Sequence, residues 1–221
     1  MCKLIFLFFS LFTLQLLGDE KKIIMGSTTS TYDSGLLTFI NQKFKDKYNI
    51  NIQILALGTG QAIRAAQDGN IEILLVHHKK SELEFMKKGY GLIRHDLMYN
   101  DYIIVGPKSD FDKCNNLNLK LKYILENNLK FISRGDDSGT HKRELELWSS
   151  VQTISNNFFS NYLKVGQGMG NTLLIANEMS AYTLVDRGTW VSFNKKNNLK
   201  IICEFKPPLL NQYGVIIVNP N

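Results

Sequence analysis

The chain has 221 residues, 44% of them hydrophobic and 21% charged, a composition that excludes long disorder, collagen-like repeats and a protein of many membrane spans. Lysine and arginine outnumber aspartate and glutamate by 26 to 20, and the sequence pI is about 9.1. A formal charge of +6 suits an anionic partner without choosing among a nucleic acid, a lipid surface and a small anion.

Met1-Cys2-Lys3 leads into an apolar run over residues 4–17, interrupted by Ser10, Thr13 and Gln15 and closed by Gly18. The run is shorter than the roughly 20 apolar residues of a transmembrane helix. Residues 1–18 read as a secretory signal peptide, so a periplasmic or other extracytoplasmic location is expected. Leu16 suits the cleavage site poorly, and an uncleaved leader would be a membrane anchor. Strand signals follow at 23–26, 50–56 and 71–76, separated by helices at 35–48 and 61–68 and followed by one at 81–88. In the first helix Leu36, Leu37, Ile40 and Phe44 share one face. Further strands are expected at 102–105, 129–133, 181–184, 199–205 and 213–218, with helices at 138–149 and 169–178. The alternation predicts two α/β lobes built on largely parallel sheets, residues 22–100 and 101–221. The hinge candidates are Asn100-Asp101-Tyr102 and a second crossing near 211–213. Cys114 and Cys203 could form one disulfide, but two small buried hydrophobes is the simpler reading.

Candidate chemistry lies in turns between a strand and a helix. Ser27-Thr28-Thr29-Ser30-Thr31, Gly58-Thr59-Gly60, the 133–141 segment and the 166–172 segment are rich in glycine and hydroxyls. In α/β folds such turns sit at the carboxyl ends of strands, where the unpaired amides of a helix N-terminus favour an anion. A single such turn is adequately explained as a helix cap; several, split over two lobes, would surround a small anion with donors. Arg134 would add a forked guanidinium. Asp136 and Asp137 are read as caps for the following helix, the alternative being acceptance of a proton from a ligand such as hydrogen phosphate.

Other patterns fall short. The glycine turns lack the Lys-Ser/Thr ending of a P-loop, and Arg134-Gly135-Asp136 is a chance tripeptide before a helix. His77 and His78 are adjacent on a strand and face opposite ways, so no metal site is expected. Ser138 and His141 lack the G-x-S-x-G elbow of a hydrolase, which leaves an exported Ser/His hydrolase as the remote alternative. Aromatic and basic residues do not interleave as a nucleic-acid groove requires.

Taken together, STTSTYDSGLL (27–37), LGTGQAI (57–63), the 74–107 stretch, FISRGDDSGTHKRELELW (131–148), GQGMGNTLLIANE (166–178), AYTLVDRGTW (181–190) and YGVIIVNP (213–220) resemble the tungstate-binding proteins of bacterial ABC transporters. These belong to the periplasmic solute-binding superfamily. The resemblance implies a type II fold, two α/β lobes that close over an oxyanion and present it to a permease in the inner membrane. It implies ligand contacts from Thr28, Thr29 and Ser30, from Thr59, and from Arg134, Ser138 and Thr140. Ser27 stands where the family has threonine. The family continues past Asn219-Pro220 with helices that return to the first lobe, and this chain lacks them. No catalytic residue, cofactor or metal is expected, and the protein is expected to be a monomer that binds tungstate or molybdate. A phosphate or sulfate receptor of the same superfamily is the nearer alternative, separated by the donor-only character of the site. The proton on hydrogen phosphate would go unpaired there, at about 1–3 kcal/mol.

Overall fold

The computed structural model describes residues 22–110, 114, 116–151, 158–204 and 209–220; the leader at 1–18 lies outside them. In chain order the elements are β1 (Lys22–Thr28), α1 (Thr29–Asp33), α2 (Leu36–Tyr48), β2 (Asn51–Leu57), α3 (Thr59–Gln67), β3 (Ile73–Val76), α4 (Lys79–Lys87) and β4 (Gly91–Pro107). Then come α5 (Leu117–Glu126), β5 (Phe131–Ser133), α6 (Gly139–Ser149), β6 (Tyr162–Lys164), α7 (Met169–Glu178), β7 (Thr183–Asp186), α8 (Arg187–Ser192), β8 (Leu199–Cys203) and β9 (Leu209–Val218). Among the described residues no helix is long and apolar enough to cross a membrane.

The parallel part of the expectation is met where β1 lies between β2 and β3, and where β5 pairs with β6. Apart from a single parallel bridge between Phe131 and Tyr182, the other strand pairs are antiparallel, which corrects the expectation of largely parallel sheets. β4 is a 17-residue strand, and the expected strand at 102–105 is only its second half. Its first half pairs with β9, which pairs in turn with β3. Its second half pairs with β7 and β8. Arg94, His95 and Asp96 interrupt the apolar pattern of the first half, so periodicity misses it. The candidate hinges are neighbours in this ribbon, with Asn100 opposite Asn211 and Tyr99 opposite Gln212.

The apolar side chains form separate cores on either side of that point. Ala62, Leu74, Val76, Phe85, Ile216 and Val218 form one core around β1, β3 and β9, and Met25, Leu37, Leu75 and Tyr213 another. Trp148, Phe131, Ile104 and Leu121 form one core of the second lobe, and Ile103, Val105, Met169 and Leu173 another. Helix α2 departs from its expected face. Leu37 is buried, whereas Ile40 is 44% exposed. Ile93, Leu97 and Ile217 of the same lobe are also exposed.

Cys114 and Cys203 form a disulfide, with Cα atoms 5.1 Å apart. This overturns the reading of two separate small hydrophobes: β8 carries buried Cys203 beside β4, and the fold brings Cys114 to it across 89 residues.

Candidate anion-binding cleft

The four turns meet. β1 ends in Thr28, whose extended backbone and Oγ1 cap α1 by accepting from the Thr31 N–H at 3.3 Å. β2 ends at Leu57, and Gly58 starts α3, with the Gln61 side chain accepting from the Gly58 N–H at 3.1 Å. Opposite them, Ser138 caps α6 by accepting from the His141 N–H at 3.1 Å. Contacts join the two sides directly. Arg134 Nη2 donates to Thr29 Oγ1 at 3.3 Å, although 105 residues separate them. The Gly139 N–H donates to Thr59 Oγ1 at 3.1 Å, and the Gly60 N–H to the Asp137 carbonyl at 3.3 Å. Thr29 also faces Gly168 of the fourth turn. The lobes are thus closed on each other.

That approach depends on glycine. A Cβ on Gly60 would fall 1.8 Å from the Asp137 carboxylate, and one on Gly139 would fall 2.9 Å from the His77 ring.

Thr28, Ser30, Thr59, Ser138 and Thr140 are all buried, and Thr29 is half-buried. Arg134 is 1% exposed. Its Nη2 also bonds the Asp136 carboxylate at 2.5 Å, but its Nε and Nη1 are buried with no partner among the described residues. A guanidinium cannot shed its charge, and two buried donors without a partner are what an acceptor-rich anion could satisfy. Ser27 Oγ, at the end of β1, is likewise buried without a partner.

Two expectations about acidic residues are corrected. Neither Asp136 nor Asp137 caps α6, because Ser138 does. Asp136 instead spans Arg134 and the Ser138 N–H, the latter at 3.3 Å, and so brings a carboxylate to the site. Asp137 sits at φ +57° and pairs outward with Arg64 and Lys142. Asp33 lies nearby; burial raises its pKa although Arg134 opposes the shift.

Ser138 and His141 do not form a nucleophile–base pair. Ser138 Oγ accepts from the backbone of His141, and the His141 ring accepts from the Asp137 N–H at 3.2 Å. His78 caps α4, accepting from the Ser81 N–H at 3.3 Å. Among the described residues no cluster of His, Cys, Asp or Glu could hold a metal ion.

Sequence reasoning missed His77. It follows β3, is 4% exposed and stands behind the first turn, its Nε2 3.5 Å from Ser30 Oγ. Its Nδ1 is 2.9 Å from Asn211 Oδ1 and 3.1 Å from the Tyr102 hydroxyl, so it touches both strands of the ribbon. Burial is the main cause that lowers its pKa to about 4, and the ring is neutral at physiological pH. The remaining signal in sequence was one histidine at a strand end, too weak to act on.

Known proteins match this architecture. The model of the PBP superfamily domain matches residues 18–221. The tungstate-binding protein TupA of Peptoclostridium acidaminophilum is 48% identical over 204 residues, which cover 90% of this chain and 71% of that protein. The crystal structure of the tungstate ABC transporter from Geobacter sulfurreducens superposes with a TM-score of 0.80 at 41% identity, over 91% of this chain and 86% of that one. The tungstate-binding protein TupA from Desulfovibrio alaskensis G20 does so with a TM-score of 0.73 at 38% identity, over 90% and 82%. With a two-lobed fold, hydroxyl- and glycine-rich turns that meet between the lobes and relatives this similar, the chain belongs to the PBP superfamily, within its family of tungstate-binding proteins of ABC transporters.

Proposed function

We propose that this protein is a non-catalytic receptor that captures tungstate, or molybdate, between its lobes outside the cytoplasm and delivers it as a monomer to an ABC permease. The first lobe comprises residues 22–100 and the second begins at residue 101, the chain crossing back near 211–213. The oxyanion lies among Thr28, Thr29, Ser30, Thr59, Arg134, Ser138 and Thr140. No cofactor takes part. The observation that carries this reading is Arg134, buried between the lobes with Nε and Nη1 lacking a partner among the described residues. Tungstate and molybdate are tetrahedral dianions with acceptors only, and they would satisfy both nitrogens. Because the bound anion touches both lobes, it favours the closed form over the open one.

Asp136 supports a second reading, a hydrogen-phosphate receptor, since its carboxylate stands beside Arg134 and could accept the ligand's proton. Both of its oxygens already accept, from Arg134 and from the Ser138 N–H, which favours the fully deprotonated anions. Calorimetric titration of the purified protein with tungstate, molybdate, sulfate and phosphate tests both. Tight binding of tungstate or molybdate with weak phosphate binding is expected; the opposite order would establish the second reading.

A further inference from the structure

Around His77 each side chain's capacity to give and take hydrogens can be counted. Asn211 Oδ1 faces His77 Nδ1 at 2.9 Å, and an amide oxygen can only accept, so Nδ1 carries the proton. The amide's other arm, Nδ2, donates to the Tyr213 hydroxyl at 3.1 Å. In the neutral ring Nε2 is then bare, and the group facing it is Ser30 Oγ at 3.5 Å, which must turn its hydrogen toward the ring. Thr28 closes the count on the other side. Its Oγ1 accepts from the Thr31 N–H at 3.3 Å and lies 2.7 Å from the Thr31 hydroxyl; with the Thr31 hydrogen turned toward it, both of its lone pairs are used. Its own hydrogen is left for Ser30 Oγ at 3.1 Å.

We infer that His77 is a positioning residue for the anion site, the anchor of a one-way hydrogen-bond chain that runs Thr31, Thr28, Ser30, His77, Asn211, Tyr213. The chain holds the Thr28 and Ser30 hydrogens inside the protein and leaves Thr29 as the hydroxyl of the first turn that donates to the ligand. This rests on the receptor reading above and narrows it: Thr28 and Ser30 line the site without donating to the ligand. Thr29 fits the role. Its Oγ1 accepts from Arg134 Nη2, which leaves its hydrogen uncommitted beside the guanidinium that the anion is expected to meet. The chain also links the first turn to the ribbon, since Asn211 and Tyr213 lie on β9 and His77 Nδ1 is within 3.1 Å of the Tyr102 hydroxyl on β4.

The direction of the chain is visible in the His77 tautomer. Two-bond proton–nitrogen correlation spectra of the ¹⁵N-labelled wild-type protein at neutral pH, with and without tungstate, should show His77 protonated on Nδ1, assigned by the signal missing from His77→Gln. A ring protonated on Nε2 would mean that the chain runs the other way and hands the Ser30 hydrogen to the cleft, which overturns the inference. Calorimetry with tungstate gives a second reading. Thr29→Ala should weaken binding about ten- to a hundredfold and Ser30→Ala about threefold or less. His77→Leu should weaken it about tenfold alone, with no further loss when Ser30→Ala is added, because the two act through one link. Equal losses for Thr29→Ala and Ser30→Ala, or additive losses for His77→Leu and Ser30→Ala, would refute it. Wild-type protein that binds no oxyanion refutes the receptor reading itself, and the tautomer still decides the direction of the chain.

Discussion

Removing Arg134 is the most informative perturbation of the cleft. Its Nε and Nη1 are buried without a partner among the described residues, so a bound dianion gains up to two charge-assisted hydrogen bonds there. Each is worth about 1.5–3 kcal/mol, and losing both should cost about 3–6 kcal/mol, or roughly two to four powers of ten in affinity. Arg134→Ala also leaves Asp136 without its partner at 2.5 Å, and that uncompensated carboxylate adds repulsion. Arg134→Lys keeps the charge but not the fork and should recover about half of the lost free energy. Thr59→Ala is the internal reference. Thr59 Oγ1 accepts from the Gly139 N–H and has one hydrogen to give the anion, a single charge-assisted bond worth about 1.5–3 kcal/mol, or roughly ten- to a hundredfold, against two such bonds at Arg134. Titration calorimetry with tungstate on the three variants, with thermal melts to show that each is folded, reads the series. If Thr59→Ala weakens binding as much as Arg134→Ala, or if Arg134→Ala stays within about threefold of wild type, the guanidinium is not the anion's main partner.

Other outcomes follow from the same geometry. Glu144 of α6 is buried against the Tyr162 hydroxyl, and burial raises its pKa to about 7. Its contribution is therefore complete below the unfolded value near 4.5 and is lost as pH rises through 7, at most about 3 kcal/mol. Urea unfolding at pH 5 and pH 8 should show Glu144→Gln gaining on wild type by up to that amount at the higher pH. His77 titrates the opposite way, losing stability as pH falls from 6.5 toward 4, and is common to both proteins; parallel pH curves for the pair would contradict the assignment. The Cys114–Cys203 bond closes a loop of about 90 residues, worth about 4–5 kcal/mol on chain entropy alone. Reduction should lower the melting temperature by many degrees, and an unchanged melt would show that the bridge adds nothing. Gly139→Ala puts a methyl 2.9 Å from the His77 ring and should weaken anion binding about tenfold or more, with the ligand-free protein still folded; normal affinity would mean that the lobes need not approach so closely.

The α/β alternation and the hydroxyl-rich turns were legible because each is local: periodicity marks the strands, and Ser, Thr and Gly mark the helix starts. The meeting of Thr29 with Arg134, 105 residues apart, is not local and came only from resemblance to a family. Asp136 was misjudged for a related reason. Sequence places an aspartate two residues before a helix and suggests a cap, but Ser138 is nearer the first turn and takes that place, which frees Asp136 for the arginine. β4 hid its first half behind Arg94, His95 and Asp96, of which Arg94 is spent on a salt bridge to buried Glu82 at 2.7 Å. The disulfide joins positions 89 apart in sequence, and no spacing rule encodes the fold that brings them together. His77 escaped because a buried, neutral histidine leaves no pattern around it.

The most direct test of the account is an anomalous-scattering map from crystals grown with tungstate and measured near a tungsten absorption edge. A single strong peak within hydrogen-bonding reach of Arg134 Nε, Thr29 Oγ1 and the first amides of α6 is expected. A peak among His78, Lys79, Lys80 and Arg143 in the adjoining hollow, out of reach of Arg134, or no peak from protein saturated with tungstate, would contradict it.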